Sequence, residues 1–136
     1  MLKENCVFCE IITGKIDSYK VYENDDVYAF FDNNPINEYH TLVIPKNHYQ
    51  DIFDIPEEEL SAVIKATKKI AELYKEKLGV NNLQIFSNSG VKAQQDVFHF
   101  HMHLVPREEN DGNDINWSTN PELQEKFDKL VAKLNN

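Results

Sequence analysis

The sequence predicts an α+β fold: five short strands, one long helix laid on their sheet, and a short helix near each end. Three features predict it. Five runs rich in apolar, β-branched and aromatic residues are each bounded by turn-forming residues. Between Pro56 and Gly79, apolar side chains recur at three- and four-residue steps, which is the helical period. Shorter helical patterns stand around Phe8 and Phe127. The 136 residues suit a single domain at about 150 residues per domain. Eight Phe, six Tyr and one Trp supply the bulk of a core, which excludes disorder except near the ends.

The elements follow in chain order. Phe8, Ile11 and Ile12 sit at helical spacing before Gly14, a helix ended by glycine. Lys20 to Glu23 and Val27 to Phe31 read as two strands joined by Asn24-Asp25-Asp26, a hairpin. Thr41-Leu42-Val43-Ile44, stopped by Pro45, reads as a third strand buried on both faces. Pro56 and the carboxylates of Glu57, Glu58 and Glu59 open the long helix, because proline suits a first turn and negative charge suits the positive end of the dipole. Its apolar stripe is Leu60, Val63, Ile64, Thr67, Ile70, Ala71, Tyr74 and Leu78. Leu83 to Phe86 and Phe98 to Val105 supply two more strands, separated by Ser87-Asn88-Ser89-Gly90 and a polar stretch from Lys92 to Asp96. The acidic segment Glu108 to Asp114 reads as a mobile loop. Asn120-Pro121 then opens a last helix, with Leu123, Phe127, Leu130, Val131 and Leu134 expected inward.

The net charge is −9, and Arg107 is the only arginine. A nucleic-acid duplex is therefore not an expected partner, since its backbone is repelled. A small anion can still be held by backbone amides, imidazoles and amide side chains. No apolar run approaches the ~20 residues that cross a bilayer, and the first residues lack the apolar core of a signal peptide. The expected address is the cytoplasm, with no membrane partner. Cys6 and Cys9, two residues apart, then point to a metal half-site or a redox pair and exclude a disulfide scaffold.

All five histidines, His40, His48, His99, His101 and His103, fall within two short segments. In His99-Phe100-His101-Met102-His103-Leu104-Val105, strand alternation sends the three imidazoles to one face and Phe100, Met102 and Leu104 to the other. Two readings follow from the residues themselves. The imidazoles chelate a metal such as zinc, leaving a position open for water. Alternatively, one imidazole is a nucleophile oriented by its neighbours.

The run from His99 to Val105 resembles the signature of the histidine triad (HIT) family of nucleotide hydrolases and transferases, three histidines alternating with apolar residues. The resemblance, to bacterial HIT-like proteins, also takes in Val21 to Asp32, His40 to His48 and Ser87 to Gly90. It implies a HIT domain over 6–107, with 108–136 an acidic loop and C-terminal helix of the same single domain. It further implies that the five strands form one antiparallel sheet under the long helix, and that the chain pairs as a homodimer.

By the same resemblance His101 is the nucleophile. It attacks the α-phosphate of a purine nucleotide and forms a transient nucleotidyl-histidine, from which water releases the nucleoside monophosphate. Imidazole suits this, because its reference pKa near ~6.5 leaves it substantially neutral in the cytosol and it leaves readily once phosphorylated. The resemblance makes His103, His40 and His99 its catalytic companions, with His103 and His40 donating to phosphate oxygens or ordering His101. It puts Asn88 and Gln95 near the phosphates, Asp32 on the ribose hydroxyls, and Phe8, Ile11 and Ile16 around the base. A competing assignment for Asp32 is a cap on the turn before Pro35. Two departures stand out: Gln94-Gln95-Asp96 carries a carboxylate where many members have a hydroxyl, and Asn33 stands where an apolar base contact is frequent.

One branch of the resemblance, that of galactose-1-phosphate uridylyltransferase, matches Cys6, Cys9, His48 and His99 to a closed zinc shell. Such a zinc is structural and pins the amino terminus, with no metal required for chemistry. The expected function is hydrolysis or transfer at the α-phosphate of a nucleoside phosphoramidate, an adenylated conjugate or a dinucleoside polyphosphate. Its competitors are a zinc hydrolase built on the alternating histidines and a nucleotide-binding regulatory module with little turnover.

Overall fold

The computed structural model describes residues 1–136. Cys6 caps the first helix, α1 (Val7–Ile12), by accepting the Cys9 N–H on its sulfur. Strands β1 (Lys20–Glu23), β2 (Val27–Phe31) and β3 (Thr41–Pro45) form a meander. Helix α2 (Glu57–Leu78) follows, then β4 (Leu83–Phe86) and β5 (Met102–Pro106), which inserts between β3 and β4. The order is β1-β2-β3-β5-β4 and every pairing is antiparallel. Gly79 closes α2 in the left-handed conformation, φ 71°, its N–H donating to the Lys75 carbonyl and the Val80 N–H to the Tyr74 carbonyl, a turn that disfavours any Cβ.

The sheet has two covered faces. Val63, Ala66, Ile70 and Tyr74 of α2 bury Val27, Ala29, Val43, Met102 and Leu104 on one. Phe8, Cys9 and Ile11 of α1 bury Tyr28, Phe30, Leu42 and Ile44 on the other. Strands sandwiched this way are apolar at consecutive positions, which is why β3 is buried throughout. Ile70 has no exposed surface. Its replacement by alanine should cost about 2–5 kcal/mol of stability by urea unfolding, and a loss under 1 kcal/mol would show that α2 packs loosely.

Three expectations are corrected. The last strand starts at Met102 rather than Phe98, because the backbone of residues 99 to 101 bonds elsewhere. Phe100 N–H donates to the Tyr49 carbonyl at 2.6 Å, Ser87 Oγ to the His101 carbonyl at 2.8 Å, and the His101 ring to the His99 carbonyl. The acidic loop is tied down. Arg107 donates to both Asp111 oxygens at 2.8 and 2.6 Å and to Asp114 at 2.9 Å. Asp111 is held well below the usual carboxylate range by Arg107 above all. Finally, the C-terminal helix α3 (Phe127–Leu134) and the 3-10 turn before it (Pro121–Lys126) turn no side chain inward: Leu123, Phe127, Leu130, Val131 and Leu134 are all exposed. Ile64 and Leu78, at the margins of the α2 stripe, are exposed too. Periodicity reports an amphipathic helix and says nothing of which surface receives it.

Candidate active site

On the α1 side of the sheet, β3 and the histidine run bring His40, His99, His101 and His103 together. His101 is only 3% exposed. Its Nδ1 lies 2.7 Å from the His99 carbonyl oxygen, so Nδ1 carries the proton and Nε2 keeps its lone pair. Phe8 packs edge-on against this ring at 5.1 Å, which further fixes its plane.

His103 receives the opposite tautomer. The Ile36 N–H donates to His40 Nδ1 at 3.0 Å, which puts the His40 proton on Nε2. That proton faces His103 Nδ1 at 3.0 Å, so His103 carries its own on Nε2. Phe86 stacks on the His103 ring at 4.5 Å and 11°. A bare nitrogen on His101 thus stands beside a donor on His103, the two rings 4.9 Å apart. Asp32 supports the row, its Oδ2 3.6 Å from His40 Nε2, and also caps the turn before Pro35, its Oδ1 accepting the Asn34 N–H at 2.8 Å.

Burial above all holds His40 below the ordinary imidazole range, with His101 adding to it and Asp32 opposing. Burial likewise lowers His103 to about 4, helped by His101 and His40 and opposed by Asp96. Both rings are neutral donors at neutral pH. In the unfolded chain they bind protons from about pH 6.5, so acid favours unfolding. The His103 contribution should be complete above about pH 6.5 and lost as pH falls toward 4, with His40 acting in the same direction. Urea unfolding at pH 7 and pH 5 measures it, and His103→Gln should flatten the slope. Equal stability at both pH values would contradict this account.

The second cluster lies one residue pair away. His99 Nδ1 is 3.5 Å from Cys6 Sγ and 3.6 Å from Cys9 Sγ, while His48 Nδ1 is 3.5 Å from Cys9 Sγ and 3.2 Å from His99 Nδ1. A tetrahedral zinc with Zn–S about 2.3 Å and Zn–N about 2.0–2.1 Å requires edges of roughly 3.3–3.8 Å between its ligand atoms. The four residues fit. His99 Nε2 donates to the Pro45 carbonyl at 2.9 Å, which leaves Nδ1 unprotonated and aimed at the sulfurs. Burial lowers His99 to about 4 and raises the Cys9 thiol.

Several assigned residues need correction. Both nitrogens of His99 are engaged, so it cannot touch substrate, and it acts on His101 through its carbonyl. The alternating histidines do not converge on one metal: His99 joins the thiols, His103 joins Asp32 and His40, and His101 belongs to neither group. Gln95 faces inward, 5% exposed, its amide donating to the Gln50 and Val97 carbonyls at 2.7 and 3.1 Å and accepting the Gly90 N–H at 2.8 Å. It staples a loop and has no N–H left for phosphate. Phe8 and Ile11 are core residues, with Ile16 at the margin and Asn33 exposed. Asn88 is half-exposed in a cleft of about 1000 Å³ shared with Phe86, Gln94 and Trp117. The roles of Ser87, Phe86 and the Pro45 carbonyl left no mark in the residue pattern, since they depend on register and backbone.

A five-stranded antiparallel sheet with a row of imidazoles on its inner strands, beside a two-thiol, two-imidazole cluster, defines a class of small α+β proteins. The model of the HIT domain matches residues 13–110, and the chain belongs to the HIT family. An adenosine 5′-monophosphoramidase of Candida albicans is 38% identical, over 96% of this chain and 89% of that one. Among solved structures, a HIT family protein of Bacillus anthracis superposes with a TM-score of 0.88 at 40% identity, covering 97% and 96% of the two chains. A Zn-bound histidine triad family protein of Mycobacterium smegmatis superposes with a TM-score of 0.77 at 32% identity, covering 95% and 97%. No helix of the chain is long and apolar enough to cross a membrane.

Proposed function

We propose that the protein is a nucleotidyl hydrolase or transferase that cleaves at the α-phosphate of an adenosine phosphoramidate, an adenylated conjugate or a dinucleoside polyphosphate. The observation that carries this reading is the His101 ring held by its Nδ1 2.7 Å from the His99 carbonyl, which leaves Nε2 free of that bond, with the His103 ring 4.9 Å away. Nε2 attacks the α-phosphorus, and the bond to the leaving group breaks with its electron pair. Water then attacks the nucleotidyl-histidine and releases the nucleoside monophosphate. The protein's contribution is positioning and stabilisation of charge on the phosphoryl oxygens, for which His103 Nε2–H and the Asn88 amide are the donors. The Asp32 carboxylate takes the ribose hydroxyls, and the base rests near the half-buried Ile16 and the exposed Asn33.

Zinc on Cys6, Cys9, His48 and His99 supplies folding energy and no reaction step. It ties the amino-terminal helix to the backbone that orients His101. The working unit is a homodimer. Supporting this are the unpaired edge of β4, where Ile85 is exposed, the exposed Ile64, Leu73 and Leu78 of α2, and the bare apolar face of α3. Incubation with an adenosine phosphoramidate should release AMP in the presence of a chelator. Absence of AMP from all three substrate classes would overturn the reading.

A further inference from the structure

Asp96 stands at the mouth of the site. Its Oδ1 lies 3.8 Å from the nucleophilic Nε2 of His101, and its side chain is 82% exposed. The placement is built rather than incidental. The same oxygen accepts the Val97 N–H at 2.9 Å, and the preceding Gln95 is locked to three backbone groups. His101 is the one titratable partner within ion-pair distance of Asp96, and Lys3 lines the same cleft without pairing with it. A phosphorus bonded to Nε2 is within one bond length of the same distance from this carboxylate.

We propose that Asp96 is a specificity-determining residue that selects against anionic leaving groups and for amine leaving groups. This rests on the function proposed above and narrows its substrate class. When a P–N bond breaks, the electron pair stays on the amine nitrogen, which takes a proton from water and departs with N–H groups that the carboxylate accepts. When a P–O–P bond breaks, the pair stays on a phosphate oxygen and adds negative charge facing Asp96. One exposed carboxylate a few ångströms from two or more phosphate charges, in a medium close to water, discriminates by about tenfold. Screening by salt should erode that factor.

The test compares kcat/KM for two substrates that share the AMP moiety, an adenosine phosphoramidate of a primary alkylamine and a diadenosine polyphosphate. Asp96→Asn should raise the polyphosphate-to-phosphoramidate ratio about tenfold, whereas Asp96→Glu should keep the native ratio. Added salt should move the native ratio toward that of the Asn variant, and the variant's own ratio should respond less. A ratio within twofold of native in Asp96→Asn, or equal salt responses, would overturn the proposal while leaving the proposed function standing. Release of AMP from neither substrate by the native protein would overturn the proposed function and this inference with it.

Discussion

His101→Ala is expected to lower AMP release from an adenosine phosphoramidate by about 10⁴-fold or more, the scale seen when a covalent nucleophile is removed. Binding energy and the remaining donors do not replace it. His103, the neighbouring ring, offers an N–H where a lone pair is needed, because the chain of bonds from Ile36 through His40 fixes its tautomer. His99 has no free nitrogen. The loss should fall on kcat rather than on KM. The fold should persist, since His101 lies outside the Cys6, Cys9, His48 and His99 cluster and meets the apolar layer through the edge of Phe8. Activity within tenfold of native in a folded variant would move the nucleophile elsewhere.

Removal of the metal is the second large effect. Chelator-washed protein should hold about one zinc per chain, and Cys6→Ser should hold almost none. Ligand loss from a structural site costs several kcal/mol, because binding and folding are one equilibrium there. For a domain of this size that is a fall in Tm on the order of 10 °C or more. Turnover should fall indirectly, since the backbone that positions His101 begins at His99, a proposed ligand of the zinc. Zinc near zero in both proteins, with equal Tm, would show that the four residues form a metal-free cluster.

Most of the fold was legible because its signals are local. The hairpin of β1 and β2, the strand before Pro45, the α2 helix closed by Gly79 and the β4 strand fall where turn residues and periodicity put them. Local signals also misled in informative places. Residues 98 to 101 alternate like a strand, yet their backbone is diverted to Tyr49, Ser87 and the His101 ring. The stripe on α3 is real but meets no surface of its own chain. Among the site residues, the histidine row and the Cys-x-x-Cys pair announced themselves through spacing. What each imidazole does was not legible. The tautomers of His40, His99, His101 and His103 depend on an amide and two carbonyls that only the folded backbone brings within reach. Gln95 shows the same limit, since nothing in the sequence distinguishes an amide that binds phosphate from one that closes a loop.

The most direct measurement is the mass of the protein quenched in mid-turnover with an adenosine phosphoramidate, followed by peptide mapping that preserves acid-labile phosphorus–nitrogen bonds. The account predicts one added AMP, located on His101 and chased away by water at the rate of turnover. Steady turnover with no adduct at any time resolved, or an adduct on another residue, would contradict it.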